Sequence, residues 1–170
     1  QIEAGALVTP ATAKRGNGAT GQAGLGRYRM LILPQSLAIS DKEKAQIEAF
    51  VRAGGTVIAD RDAGLMDGKC RRRPAGMLDS LFGIRRTQGS VPAAIGASVR
   101  LPRTPAIDLK LPAAEAVQVT TARSYGSLKA AKAPVVTCNT FGKGSAWYLN
   151  LDLTPFDNER VFHTPTEKGL

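Results

Sequence analysis

The sequence predicts an α/β domain: a parallel sheet flanked by helices, with added β-hairpins in the C-terminal half. Three observations carry this. Residues 29–60 read strand, helix, strand, the unit from which parallel sheets are built. Beyond Ile84 the helical period gives way to short apolar runs separated by Pro and Gly. The 170 residues are 43% hydrophobic but only 5% aromatic, so the core must be largely aliphatic.

Gln1–Val8 is too short to assign between a helix end and an extended piece. Thr9–Gly26 is a Gly-, Ala- and Thr-rich loop without apolar period. Inside it, Gly16-Asn17-Gly18-Ala19-Thr20-Gly21 has the G-x-G-x-x-G spelling without its context. Lys14-Arg15 stand where a strand is needed, and Gln22–Gly26 holds too much glycine to open a helix that could grip a pyrophosphate. No nucleotide or other cofactor is expected. Met30–Leu33 is continuously apolar, the pattern of a strand buried on both faces, and Pro34 ends it. Ser40 and Glu43 spell a capping box. Ile47, Phe50 and Val51 form one stripe at helical spacing, and Gly54-Gly55 stop the helix. Thr56–Ala59 is the next buried strand. Pro74 to Gly83 reads as a short helix with a glycine stop. Ser98–Leu101, Ile107–Leu111 and Ala116–Thr120 are β-like. Val135–Phe141 and Ser145–Leu151, joined at Gly142-Lys143-Gly144, form the clearest hairpin. The expected organisation is a partial N-terminal element and loop (1–27), the α/β domain (28–153) and a linker or tail (154–170).

The net charge of +9 directs attention to anionic partners. Nucleic acid is the weaker choice, because no aromatic residues interleave the arginine runs to stack on bases. No apolar run approaches the ~18 residues of a membrane helix, so no membrane partner is expected. Cys70 and Cys138 make neither a disulfide framework nor a zinc spacing. They favour the cytoplasm, while a start at Gln1 rather than Met reads as a piece of a longer chain and leaves export open.

No G-x-S-x-G elbow is present, and the only histidine is His163 in the tail. Cys138 reads as strand packing. Cys70, between Lys69 and Arg71, reads as a surface thiol. One His, two distant Cys and no compact acid cluster give no metal site. The best-placed polar residues are Asp60 and Asp62, at the carboxyl end of the second strand, where open α/β sheets bind ligands. Next come Arg71, Arg72 and Arg73, whose guanidinium groups suit a phosphate or carboxylate. The same arginines would equally pin their loop to Asp60, Asp62 and Asp67, or meet an acidic patch on a partner. These five are the candidate ligand-binding residues, and no catalytic residue is expected.

Tyr28–Pro34, the Ser40-Asp41 helix start, Phe50–Asp60 and Phe141–Asn150 together resemble the β-galactosidase trimerisation domain. That module follows the catalytic barrel in family 42 glycoside hydrolases and is similar to class I glutamine amidotransferases. The resemblance implies a flavodoxin-like or amidotransferase-like sheet, a homo-oligomer formed through the parent protein, and a carbohydrate substrate contacted with a neighbouring barrel. It places the opening strand and helix before Gln1, so the sheet is expected to lack a strand. No Cys elbow follows Thr56–Asp60, so glutamine hydrolysis is not expected. The glycosidase's glutamates belong to a barrel outside this sequence. Three functions remain to be separated: a non-catalytic trimerisation module of a carbohydrate-active enzyme, an amidotransferase-like domain binding a small ligand or anion, and a basic nucleic-acid-binding protein.

Overall fold

The computed structural model describes residues 24–87, 95–102, 105–112, 116–128 and 133–151. Gln1–Val8, the G-x-G-x-x-G spelling and the tail with His163 lie outside them. A 3-10 turn, Leu25–Arg27, leads into β1 (Met30–Leu33), followed by α1 (Asp41–Arg52), β2 (Thr56–Asp60) and the one-turn α2 (Asp79–Phe82). Eight short strands complete the described chain: β3 (Ile84–Thr87), β4 (Ile95–Val99), β5 (Ile107–Pro112), β6 (Ala116–Val119), β7 (Arg123–Ser124), β8 (Ser127–Leu128), β9 (Val136–Phe141) and β10 (Gly144–Leu149).

The helix starts where the capping box places it. The Ser40 amide donates to Glu43 Oε2 at 2.7 Å and the Glu43 amide to Ser40 Oγ at 3.3 Å, satisfying two amides that the first turn leaves without partners. It ends at Ala53. Gly54 then takes φ +115°, open to glycine and strained for other residues, and returns its amide to the Val51 carbonyl. α2 occupies only the last turn of the helix expected from Pro74, and Gly83 closes it in the left-handed region.

β1, β2, β10 and β7 run in one direction and β9, between β10 and β7, runs against them, in the order β1-β2-β10-β9-β7. The sheet is therefore mixed: parallel where the strand–helix–strand unit lies, antiparallel where the hairpin joins it. β3 pairs with β6, and β4 with β5 and β8, all antiparallel.

Register sorts the five-stranded sheet into two faces. Leu33, Ala59 and Tyr148 are aligned neighbours, as are Leu31, Val57 and Ala146. This face, with Ile47, Phe50 and Val51 of α1 and Leu81 and Phe82 of α2, makes the main core. The other face carries Ile32, Ile58, Trp147 and Cys138 as one aligned row. At β9 and β10 it meets a second cluster of Val99, Ala133, Val135, Val136 and Leu151. At β1 it is open. Met30 is 51% and Ile32 60% exposed, so Met30–Leu33 is not buried on both faces as its composition suggests. β1 is an edge strand, and a continuous apolar run cannot report which strand of a sheet is outermost.

Candidate functional site

β2 delivers Asp60 to its carboxyl end, where the residue is 4% exposed. Asp60 Oδ2 accepts the Gln35 amide at 2.7 Å, tying the ends of β1 and β2 together. Gln35 holds φ +45°, a left-handed conformation that a non-glycine residue adopts at a cost of about 1 kcal/mol. Asp60 Oδ1 is buried with no partner among the described residues. Burial pushes the Asp60 carboxyl above its ordinary range, and the nearby Asp62 charge adds to this. The Gln35 and Asp62 amides and the Arg61 charge oppose them. Asp62 is half-buried and takes Arg61 Nε at 3.1 Å.

The arginine run lies apart from these acids. Arg71 belongs to Asp67: its Nε and Nη2 each reach Asp67 Oδ2 at 3.0 Å, while Asp67 Oδ1 accepts the amides of Lys69 at 2.8 Å and Arg71 at 3.0 Å. The Arg71 amide, first among these bonds, holds the Asp67 carboxyl below its ordinary range. Arg73 reaches Asp41 Oδ1 in the first turn of α1 at 3.3 Å. Arg72 is exposed. Of the acids expected to pin this loop, Asp67 does so; in place of Asp60 and Asp62 the structure uses Asp41. Cys70 is exposed with φ +59°, and burial raises the thiol of Cys138, which sits in β9. Among the described residues no group of three His, Cys, Asp or Glu side chains is placed to hold a metal ion.

The residue that shapes this end of the sheet is one the sequence did not single out. The Arg86 side chain is 4% exposed. Its Nε donates to Asp79 Oδ1 at 2.7 Å, Nη1 to the Arg61 carbonyl at 2.8 Å and Nη2 to the Ala63 carbonyl at 2.8 Å. The Tyr148 hydroxyl also donates to the Arg61 carbonyl, at 2.9 Å, and its ring lies 5.7 Å from the guanidinium. A Cβ at Gly76 would run into this Arg86–Asp79 pair. The signal available was alternation: Ile84 and Arg86 point inward and Arg85 outward, which sets Arg86 apart from the solvated arginines.

The geometry defines an α/β domain whose sheet terminus is held by its own arginine and carboxylates. The sequence profile of the β-galactosidase trimerisation domain matches residues 19–165, and the chain belongs to that family. Solved structures agree. A catalytic mutant of Gan42B, a GH42 β-galactosidase from G. stearothermophilus, is 26% identical with a TM-score of 0.62, over 84% of this chain and 22% of that one. The cold-adapted β-galactosidase from Rahnella sp. R3 is 25% identical, TM-score 0.59, over 74% and 20%. A β-galactosidase from the haloarchaeon Halorubrum lacusprofundi, 22% identical with a TM-score of 0.62, shares the fold over 75% and 20%. The chain thus spans about a fifth of the length of these enzymes. A comparison with curated protein sequences finds no match.

Proposed function

We propose that this domain is a non-catalytic module that holds a larger β-galactosidase-like glycoside hydrolase in a homotrimer, and that it contacts carbohydrate only in company with a neighbouring catalytic barrel. The observation that carries this reading is the family match over 19–165, in a chain spanning 22% of a GH42 enzyme's length. Light scattering on the full-length parent tests it: a trimer is expected, and a strictly monomeric parent overturns the assembly role.

A second reading concerns Asp60, Asp62 and Arg71 to Arg73 as a ligand-binding rim. In its favour, Asp67 and Asp41 hold Arg71 and Arg73, while Arg72 and Lys69, on the same loop, stand exposed without an ion pair among the described residues. Titration with inorganic phosphate and with galactose, monitored by calorimetry, tests it. Saturable binding that Arg72→Ala abolishes supports the rim, and no binding rejects it.

A further inference from the structure

The two oxygens of the buried Asp60 carboxyl are treated unequally. Oδ2 accepts the Gln35 amide at 2.7 Å, while Oδ1 is enclosed and has no partner among the described residues. An ionised carboxylate needs both oxygens bonded or wet, and leaving one bare in the interior is costly. A proton removes the charge and much of that cost. The closed arrangement therefore suits the acid better than its anion.

The backbone around Asp60 shows which part gives way. Residues 36–39 are laced to the loop after β2: the Gly64 amide donates to the Ser36 carbonyl at 2.9 Å, Met66 to Leu37 at 2.8 Å and Ile39 to Met66 at 3.1 Å. Arg86 fixes that loop through the Arg61 and Ala63 carbonyls, and Tyr148 adds a bond to the first. On the other side β1 is paired with β2 as far as Leu33 and Ala59. Gln35 lies between these two fixed parts. It is exposed, and its φ of +45° is left-handed, a conformation that a side chain strains. The charged groups that face Asp60 come from its own strand end. Burial, the largest influence, opposes ionisation and outweighs the Gln35 bond, which favours the anion; Asp62 also opposes it, and Arg61, whose guanidinium is on Asp62 at 3.1 Å, favours it. Among the described residues β1 offers Asp60 the neutral Gln35, and β10 aligns Leu149 with it.

We propose that the Pro34–Gln35 corner is a proton-operated latch: it is shut while the Asp60 carboxyl carries a proton, and it swings off Asp60 when that proton leaves to solvent. Swinging out releases the left-handed strain at Gln35 and lets water onto both carboxyl oxygens. The carboxyl end of the sheet, where open α/β sheets bind ligands, is then closed in acid and open at higher pH. The latch acts on the corner itself and needs no ligand on the rim.

The test is hydrogen exchange with mass spectrometry on the full-length parent across a pH series, each rate corrected for the intrinsic pH dependence of amide exchange. Protection of the peptide holding Gln35 is expected to fall by up to about tenfold per pH unit between the ordinary carboxyl value of 3.8 and the raised value of Asp60, and to level off above it. Peptides of β2 are expected to keep their protection throughout. Asp60→Asn is expected to hold the corner shut at every pH. Asp62→Asn, which removes the neighbouring negative charge, is expected to move the step to lower pH. Protection at Gln35 that does not change with pH overturns the latch, as does a step that survives in Asp60→Asn. Loss of β2 protection in the same step shows unfolding of the domain rather than of the corner, and also overturns it. Should Asp60→Asn fail to fold, Asp62→Asn decides, and a step that it leaves unmoved rejects the inference.

Discussion

Two arginine–aspartate pairs follow β2 in the chain, and they do different work. Arg86–Asp79 is buried: the guanidinium joins a helix, a strand and the loop carbonyls of Arg61 and Ala63. Arg71–Asp67 lies at the surface, with the arginine side chain 74% exposed, and closes only its own loop. The two pairs are chemically the same, and water makes the difference. At the surface, solvent screens the attraction and competes for every donor. In the interior an unpaired partner has nowhere to turn, so removing one member strands the other. The arginines most conspicuous in the sequence, Arg71 to Arg73, are the less structural ones.

The sharpest way to break the comparison is Arg86→Ala, which leaves the Asp79 carboxylate buried without its cation. It is expected to lower stability by about 3–5 kcal/mol in urea unfolding; a loss no larger than that of a surface arginine would refute the buried pair's role. Tyr148→Phe removes one donor to the Arg61 carbonyl while keeping the ring against Phe82, at 5.6 Å between centroids. About 1 kcal/mol of loss is expected.

Asp60→Asn probes the other buried acid through pH. Because burial raises the Asp60 carboxyl in the folded state, its contribution to stability is fully present below the ordinary value of 3.8 and is lost as pH rises through the raised one. Asn keeps an acceptor for the Gln35 amide without the ionisation. The variant should therefore melt higher than wild type at neutral pH, and the gap should close in acid; an unchanged gap across that range rejects the assignment. Asp67 runs in the opposite direction. Its carboxyl is lowered, so its contribution is present above 3.8 and fades as pH falls through the lowered value. The smallest effect belongs to Arg71→Ala, for which no measurable change in the urea midpoint is expected at moderate salt.

Much of the fold was legible because its signals are local. Ser40 and Glu43 are three residues apart and had to cap a helix; Gly54 follows the last turn; the β9–β10 hairpin is announced by its own turn. Of the five candidate residues, Asp60 and Asp62 lie at the end of β2 and the arginines lie apart from them, and the pairing of the arginines was only half legible. Asp67 lies four residues from Arg71 and was a candidate partner, whereas Asp41 lies 32 residues from Arg73, beyond any local pattern. Arg86 was missed for the same reason. The carbonyls it holds lie 23 and 25 residues upstream, and only the folded chain brings them together. The exposure of Met30 and Ile32 was also hidden, since composition reports apolarity and not sheet position.

The placement of β10 between β2 and β9 has a consequence for how the chain is made. Thr56 and Ser145, whose hydroxyls stand 3.2 Å apart, are separated by 89 residues. On the ribosome β2 emerges with β1 on one side and waits for the other side until the hairpin has been synthesised. The sheet therefore closes late, from its middle, and its rate is governed by a long loop closure rather than by helix formation. A chain interrupted before Gly144 carries β2 as a second bare edge beside β1, which makes incomplete synthesis, more than mature instability, the point at which this domain is open to unwanted strand pairing.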